Sequence, residues 1–373
     1  MKIRGAVLEQ VGKPAKYADS LPLTVCDLEL DAPERGEILV RIECAGICHS
    51  DLSVVNGDRV RPVPMLLGHE ASGIVESVGG GVEDLVPGDR VVMTFLPRCG
   101  SCRGCQSNGL LPCSEGTAAN TAGTLLSGAV RLHRGGEQVL HHLGVSGFAT
   151  HAVVDQRSVV KVGADVPPEV AALLGCAVLT GGGAVLNLAK PAPGDTLIVV
   201  GLGGVGMAAL LTARALGAEV IGIDANPDKL NQAVELGAAA AYSPADAQSG
   251  DITAPVVVEA AGNTRAFETA VALTEPGGTT ITVGLPAPDA MARVSPLTLV
   301  AEARTIIGSY LGSAVPSRDI PVFADLWRQG RLPVEKLVSA RIGLGDINRA
   351  MDDLAEGRAL RQIIRFDDAA GQP

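Results

Sequence analysis

Asp195-Thr-Leu-Ile-Val-Val-Gly201-Leu-Gly203-Gly-Val-Gly206-Met-Ala-Ala-Leu-Leu-Thr-Ala-Arg-Ala-Leu-Gly217-Ala-Glu-Val-Ile-Gly-Ile-Asp224 is the stretch on which the fold turns. Leu197 to Val200 is apolar and partly β-branched, as a strand buried on both faces must be. It runs into Gly201-x-Gly203-x-x-Gly206, then apolar residues recur at helical spacing until Gly217 supplies a stop. A second apolar run, Val220 to Ile223, ends on Asp224, which completes a β-α-β unit. A glycine turn between strand and helix can serve packing alone. Here the second strand and its terminal acid, eighteen residues after Gly206, are also present, and the whole pattern points to a dinucleotide. Gly201 permits the tight turn, Gly203 lets a pyrophosphate approach the backbone, and Gly206 lets helix and strand pack closely. With Gly204 and Val205 they bring the phosphates to the positive end of a helix. Asp224 can accept from both hydroxyls of an adenosine ribose and would repel a phosphate there, so NAD is expected over NADP. Lys229 lies within reach of the same ribose.

Working outward, the 373 residues are enough for two domains. Hydrophobic residues make up 47% but aromatics only 2%, so Ala, Val, Leu and Ile must fill the cores. A net charge of -11 with scattered basic residues argues against nucleic acid or an anionic membrane as partner. The N-terminus lacks the apolar core of a signal peptide. Val170 to Ala189 and Thr196 to Ala213 are uncharged over membrane-spanning length, yet glycines, Thr and Asn interrupt them, so both read as buried soluble structure. The expected compartment is the reducing cytoplasm, where eight cysteines favour metal ligation over disulfides.

Residues 1–176 are mostly short strands and turns: Ile3 to Leu8, Leu23 to Leu30, Ile38 to Ala45, Ser72 to Val78, Arg90 to Met93, Thr150 to Val154 and Val159 to Val162. Their spacing predicts a small, irregular antiparallel barrel. Residues 177–312 alternate strand and helix, with strands at Thr196 to Val200, Val220 to Ile223, Ala240 to Tyr242, Val256 to Glu259, Thr280 to Val283 and Thr305 to Gly308. That makes an α/β fold with a doubly wound, six-stranded parallel sheet. Residues 313–373, with helices around Ile320 to Arg328 and Asp346 to Glu356 and a strand Gln362 to Phe366, have no place in such a sheet. They are expected to return and complete the first domain, with a frayed end from Asp367 to Pro373.

Cys99-Gly-Ser-Cys102-Arg-Gly-Cys105-x7-Cys113 is the most specific local signal. Four thiolates at short spacing supply a closed tetrahedral site, read as structural zinc; an iron-sulfur cluster would use the same ligands. Cys48, His69 and Cys176 are dispersed, and a buried Cys or His is ordinarily core. Cys26 and Cys44 read as bystanders.

Gly46-Ile-Cys-His-Ser-Asp51, Gly68-His-Glu70, the four cysteines, Cys176, the glycine turn and Asp224 occur in the order of one family, nearly end to end. By these residues the chain resembles the zinc-dependent alcohol dehydrogenases of the medium-chain dehydrogenase/reductase family. The resemblance implies a GroES-like catalytic domain and a catalytic zinc on Cys48, His69 and Cys176, with Asp51 holding His69 and Glu70 behind the metal. It implies a second, structural zinc on Cys99, Cys102, Cys105 and Cys113. It implies that Ser50 accepts the alcohol proton; Ser53 stands where many members carry a histidine, so Ser53, water or His49 is the exit beyond. It further implies that His49 and Arg361 meet the cofactor phosphates, that Thr180 and Val283 contact the cofactor, and that Phe95 walls the substrate pocket. Surface charge or core packing is the competing reading for each of these.

The activity implied is hydride transfer between a primary alcohol, or its aldehyde, and NAD in the cleft between domains, which closes to exclude water. A secondary alcohol or polyol, or a glutathione-linked formaldehyde dehydrogenase activity, is the alternative. The sixty-three residues from Cys113 to Cys176 resemble the longer, dimeric members, so a homodimer through the Thr305 to Gly308 edge is expected, with a tetramer as the other form. A zinc-free double-bond reductase and a non-catalytic NAD-binding protein are rivals from other classes, and the complete ligand set counts against both.

Overall fold

The computed structural model describes residues 1–366; the expected frayed end at Asp367–Pro373 lies outside them. The chain divides into two compact units. The first comprises Met1–Ser107, Pro112–Cys176 and the segment from Val338 onward, and the second Asn108–Leu111 and Ala177–Leu337.

In the first unit only five short strands close into a barrel: Lys2–Leu8, Leu23–Leu30, Leu132–Arg134, Glu137–His141 and Met65–Leu66. The other strands form a separate sheet in the order Val159–Val162, Arg90–Met93, Glu70–Val78, Glu37–Ile47, Gln362–Arg365, Ala340–Ile342, with His151–Asp155 also paired to Glu37–Ile47. The barrel expected from strand spacing is present, and a sheet stands beside it, because spacing reports strand length and not partner. Ile38, Val40, Ile42, Met65, Val91 and Phe148 are buried in one cluster between these layers. Each such side chain contributes roughly 1.5–3 kcal/mol of burial. Register sets up the site: Gly46 pairs with Glu70, and Gln362 pairs with Ile47. Cys48 and His69, just past paired positions on adjacent strands, therefore arrive at the same end of the sheet.

In the second unit all six strands are parallel, in the order Ala240–Tyr242, Glu219–Ile223, Thr196–Val200, Ala254–Glu259, Thr274–Thr282, Thr305–Gly308. In chain order this is 3-2-1-4-5-6, so the connections reverse direction between the first and fourth strands and open a crevice there. Ile198, Val200, Ile223 and Val257 form an aliphatic core, as the scarcity of aromatics required.

The return to the first unit begins at Val338 and not at 313. Helix Pro316–Arg328 stays with the second unit, its Pro316, Ile320, Phe323 and Ala324 buried and its Phe323 facing helix Leu179–Ala184. A Cβ on Gly182 would lie 3.0 Å from the Phe323 ring, so a larger residue would crowd that contact. The uncharged stretch Val170 to Ala189 lies within the helical segment Pro168–Ala189, whose most apolar window is 89% buried inside the protein.

Candidate metal centre and nucleotide turn

Cys48 follows strand Glu37–Ile47 and caps helix His49–Val55, where its backbone carbonyl accepts the Asp51 N–H at 3.0 Å. The Asp51 carboxylate answers with both oxygens. Oδ2 accepts the Cys48 backbone N–H at 3.0 Å, and Oδ1 lies 2.9 Å from His69 Nδ1. One buried carboxylate thus orients two of the three expected ligands, and it leaves the His69 Nε2 lone pair for a metal. Cys176 lies where helix Pro168–Leu173 widens into a π turn, Leu174–Val178. Such turns recur at functional sites because they re-aim a side chain without ending the helix. The Cys176 Sγ is 3.3 Å from His69 Nε2 and 4.0 Å from Cys48 Sγ, and all three residues are buried. The Cys176 thiol is held well above its ordinary value by its hydrogen bond to Cys48, then by burial. The same hydrogen bond pulls Cys48 well below its own. Two buried sulfurs and a buried imidazole that converge form a donor set that suits zinc, whose binding displaces thiol protons.

Behind the cluster Glu70 is wholly buried. Burial pushes its carboxyl up to about 7, with the Arg361 guanidinium pulling the other way. The Arg361 Nε stands 3.5 Å from Glu70 Oε1, and its Nη1 donates to the Ile47 carbonyl at 3.1 Å. Gly46 makes the room: a Cβ there would lie 2.0 Å from Glu70 Oε1.

The four clustered cysteines likewise meet. Cys99 Sγ is 3.8 Å from Cys105 Sγ, and Cys102 Sγ is 3.8 Å from Cys113 Sγ. Backbone N–H groups of Cys102, Cys105 and Cys99 donate to the sulfurs of Cys99, Cys102 and Cys113 at 3.4, 3.4 and 3.3 Å. Such donors favour thiolates. Hydrogen bonds from Ser114 and the Cys105 N–H hold Cys102 down at about 5.

In the second unit Gly203 caps helix Gly204–Ala215. A Cβ at Gly206 would sit 1.8 Å from the Gly201 carbonyl, whereas at Gly203 nothing lies within 4 Å. The turn is therefore closed where helix meets strand and open where a phosphate would approach, which fits a dinucleotide. Asp224 Oδ2 accepts the Leu202 N–H at 2.7 Å and Oδ1 the Asn226 N–H at 2.9 Å. The expected ribose partner thus also braces the turn. Lys229 is half-buried on helix Pro227–Glu235, Val283 is buried just beyond strand Thr274–Thr282, and Thr180 is half-buried on helix Leu179–Ala184.

Residues 34–164 match the family described as alcohol dehydrogenase GroES-like domain, and residues 204–328 that of zinc-binding dehydrogenase. The geraniol dehydrogenase of Castellaniella defragrans is 38% identical over 97% of this chain and 97% of its own. The chain belongs to the zinc-dependent alcohol dehydrogenases of the medium-chain family. The NDMA-dependent alcohol dehydrogenase of Amycolatopsis methanolica is 35% identical, covering 98% of this chain and 99% of that one. The crystal structure of benzyl alcohol dehydrogenase from Acinetobacter calcoaceticus superposes with a TM-score of 0.88 at 31% identity, covering 98% and 99%. With both cysteine sets assembled, this alcohol dehydrogenase is zinc-containing and NAD-dependent.

The remaining expected residues of the dehydrogenase fall as follows. Ser50 is half-buried and His49 exposed on the first turn after Cys48. The Ser53 hydroxyl donates to the His49 carbonyl at 2.9 Å. Phe95 stands edge-on to His69, centroids 5.5 Å apart, held by the Asn120 amide donating to its carbonyl at 2.7 Å. His142, which the sequence reading passed over, is buried with its ring 5.5 Å from that of His69. Its only sequence signal is a His141-His142 pair inside an apolar run.

Proposed function

We propose that this enzyme interconverts a primary alcohol and its aldehyde, with Cys48, His69 and Cys176 as ligands of the catalytic zinc. The observation that carries the reading is the convergence of those three donors around one Asp51-anchored imidazole. The names of the geraniol and benzyl alcohol dehydrogenases support a primary alcohol beside an alkene or arene. When bound, zinc supplies Lewis acidity to a substrate oxygen, and NAD supplies the hydride acceptor. Ser50 takes the hydroxyl proton, and the Ser53 hydroxyl, His49 or water passes it outward. Asp51 holds His69 in one tautomer and Glu70 balances Arg361. His49 and Arg361 are assigned to the cofactor phosphates, and Thr180 and Val283 to cofactor contacts. Cys99, Cys102, Cys105 and Cys113 hold the structural zinc.

A homodimer through the Thr305–Gly308 edge is supported by that strand's place at the end of the sheet and by the nearby exposed Leu297 and Val300, with a tetramer as the other form. Sedimentation velocity reads this directly. Unbridged cysteines support the cytoplasm as the compartment, a placement that fractionation checks.

Following absorbance of the reduced cofactor across alcohols with NAD and NADP tests the reading. Allylic and benzylic primary alcohols with NAD are expected to lead, and preference for secondary alcohols or polyols would overturn the substrate class. Asp224→Gly removes the charge that repels a 2′-phosphate, and such like-charge contacts cost several kcal/mol. The NADP/NAD ratio of kcat/KM is expected to rise on the order of 100-fold. NAD affinity is expected to fall as well, because the Leu202 N–H loses its acceptor. Unchanged cofactor selectivity would remove Asp224 from the argument.

A further inference from the structure

His142 lies in the apolar run Val139 to Val145 and is 1% exposed. Its ring stands at 87° to that of His69, and its Nδ1 is 3.4 Å from Asp51 Oδ1, the oxygen that His69 Nδ1 meets at 2.9 Å. Asp51 is 0% exposed. Its oxygens are met by protein groups: the Cys48 N–H donates to one and the His69 imidazole meets the other, beside which the buried His142 Nδ1 stands at 3.4 Å with no hydrogen-bond partner of its own. A buried ring nitrogen left without a partner, this close to a buried carboxylate oxygen, is aimed at it.

The backbone around His142 is built to hold that ring in place. Leu143, Gly144 and Ser146 have φ of 53°, 66° and 52°, a region costly for leucine and serine, and both of these are buried. The His142 N–H donates to Ser146 Oγ at 3.0 Å. The Gly147 and Phe148 N–H groups donate to the carbonyls of Gly68 and Leu67, both at 3.0 Å. A strained turn stitched to the residues just before His69 places the two rings in a fixed relation.

We propose that His142 is a positioning residue for the catalytic zinc: its Nδ1, facing Asp51 Oδ1, keeps that carboxylate aimed at His69 Nδ1 so that His69 Nε2 presents its lone pair to the metal. The inference rests on the zinc reading above. Partners of this kind, one contact removed from a metal, are worth on the order of 10- to 100-fold in affinity.

The test compares His142→Leu, which removes that nitrogen, with His142→Asn, whose amide nitrogen falls near the Nδ1 position. Holoenzyme is mixed with the chromogenic chelator 4-(2-pyridylazo)resorcinol and the release of each zinc is followed; the visible spectrum of cobalt-substituted enzyme is read alongside. The Leu variant is expected to release the catalytic zinc on the order of 10- to 100-fold faster and to shift the cobalt bands, with the structural zinc unmoved and the Asn variant close to wild type. Wild-type release and spectrum in the Leu variant, or equal loss in Leu and Asn, would overturn the proposal. Should the Leu variant fail to fold, His142→Gln, which moves the amide toward the Nε2 position, takes its place against Asn with the same two outcomes. Loss of no metal on Cys176→Ser would instead sink the zinc reading itself.

Discussion

Cys176→Ser is expected to lower kcat/KM by at least about 1,000-fold while leaving the protein folded and one of its two zincs in place. Lewis-acid stabilisation by a metal is worth several kcal/mol, and each 1.36 kcal/mol is tenfold in rate. A serine hydroxyl keeps its proton at neutral pH and is a poor ligand where a thiolate is a strong one. The side chain is buried at the π turn, 3.3 Å from His69 Nε2, so the exchange removes a donor with little change of volume. Metal analysis should show one zinc lost per chain, with an unfolding temperature close to wild type. Retention of both metals with full turnover would show that the ligand set has been read wrongly.

Cys102→Ala should act in the opposite order, on folding before chemistry. The lobe from Cys99 to Gly123 buries little of its own. Within helix Ser114–Ala122 only Gly116 and Asn120 are buried, and Leu110 and Leu111 are exposed. A metal therefore stands in for a core. Structural zinc binding is worth roughly 10–16 kcal/mol in isolated fingers. Forfeiting even about a third of that lowers the unfolding temperature by about 5 °C in a chain of this size. Calorimetry, with limited proteolysis mapping the first cut to the lobe, checks it; an unfolding temperature within about 2 °C of wild type would remove the structural role. Since the Cys102 sulfur also caps the Cys105 N–H at 3.4 Å, a Cys102→Ser control separates loss of the cap from loss of the metal.

The nucleotide turn was legible because everything it needs is local. Strand Thr196–Val200 and helix Gly204–Ala215 follow from residues a few positions apart, and so does the four-cysteine lobe. Cys48, His69 and Cys176 are another matter, being 21 and 107 residues apart. Taken as bare residues they are core cysteines and a core histidine, and resemblance to a family joined them. What brings them together physically is the antiparallel register Gly46 to Glu70, and the packing of Gly175, whose Cβ would lie 2.1 Å from the Met93 carbonyl. The domain boundary near 313 differs for a related reason: helix Pro316–Arg328 carries an apolar stripe that does not say which unit it packs in.

Read as a string, this chain commits to a dinucleotide turn, a preference acid at Asp224 and a sulfur-bound lobe, since each is written within the reach of one turn or one β-α-β unit. The approach of His142 to Asp51, the pairing of Glu70 with Arg361, and the place where the chain returns at Val338 came from folding alone. Those contacts join residues up to hundreds of positions apart, and their geometry is set by strand register and close packing, which no local pattern encodes.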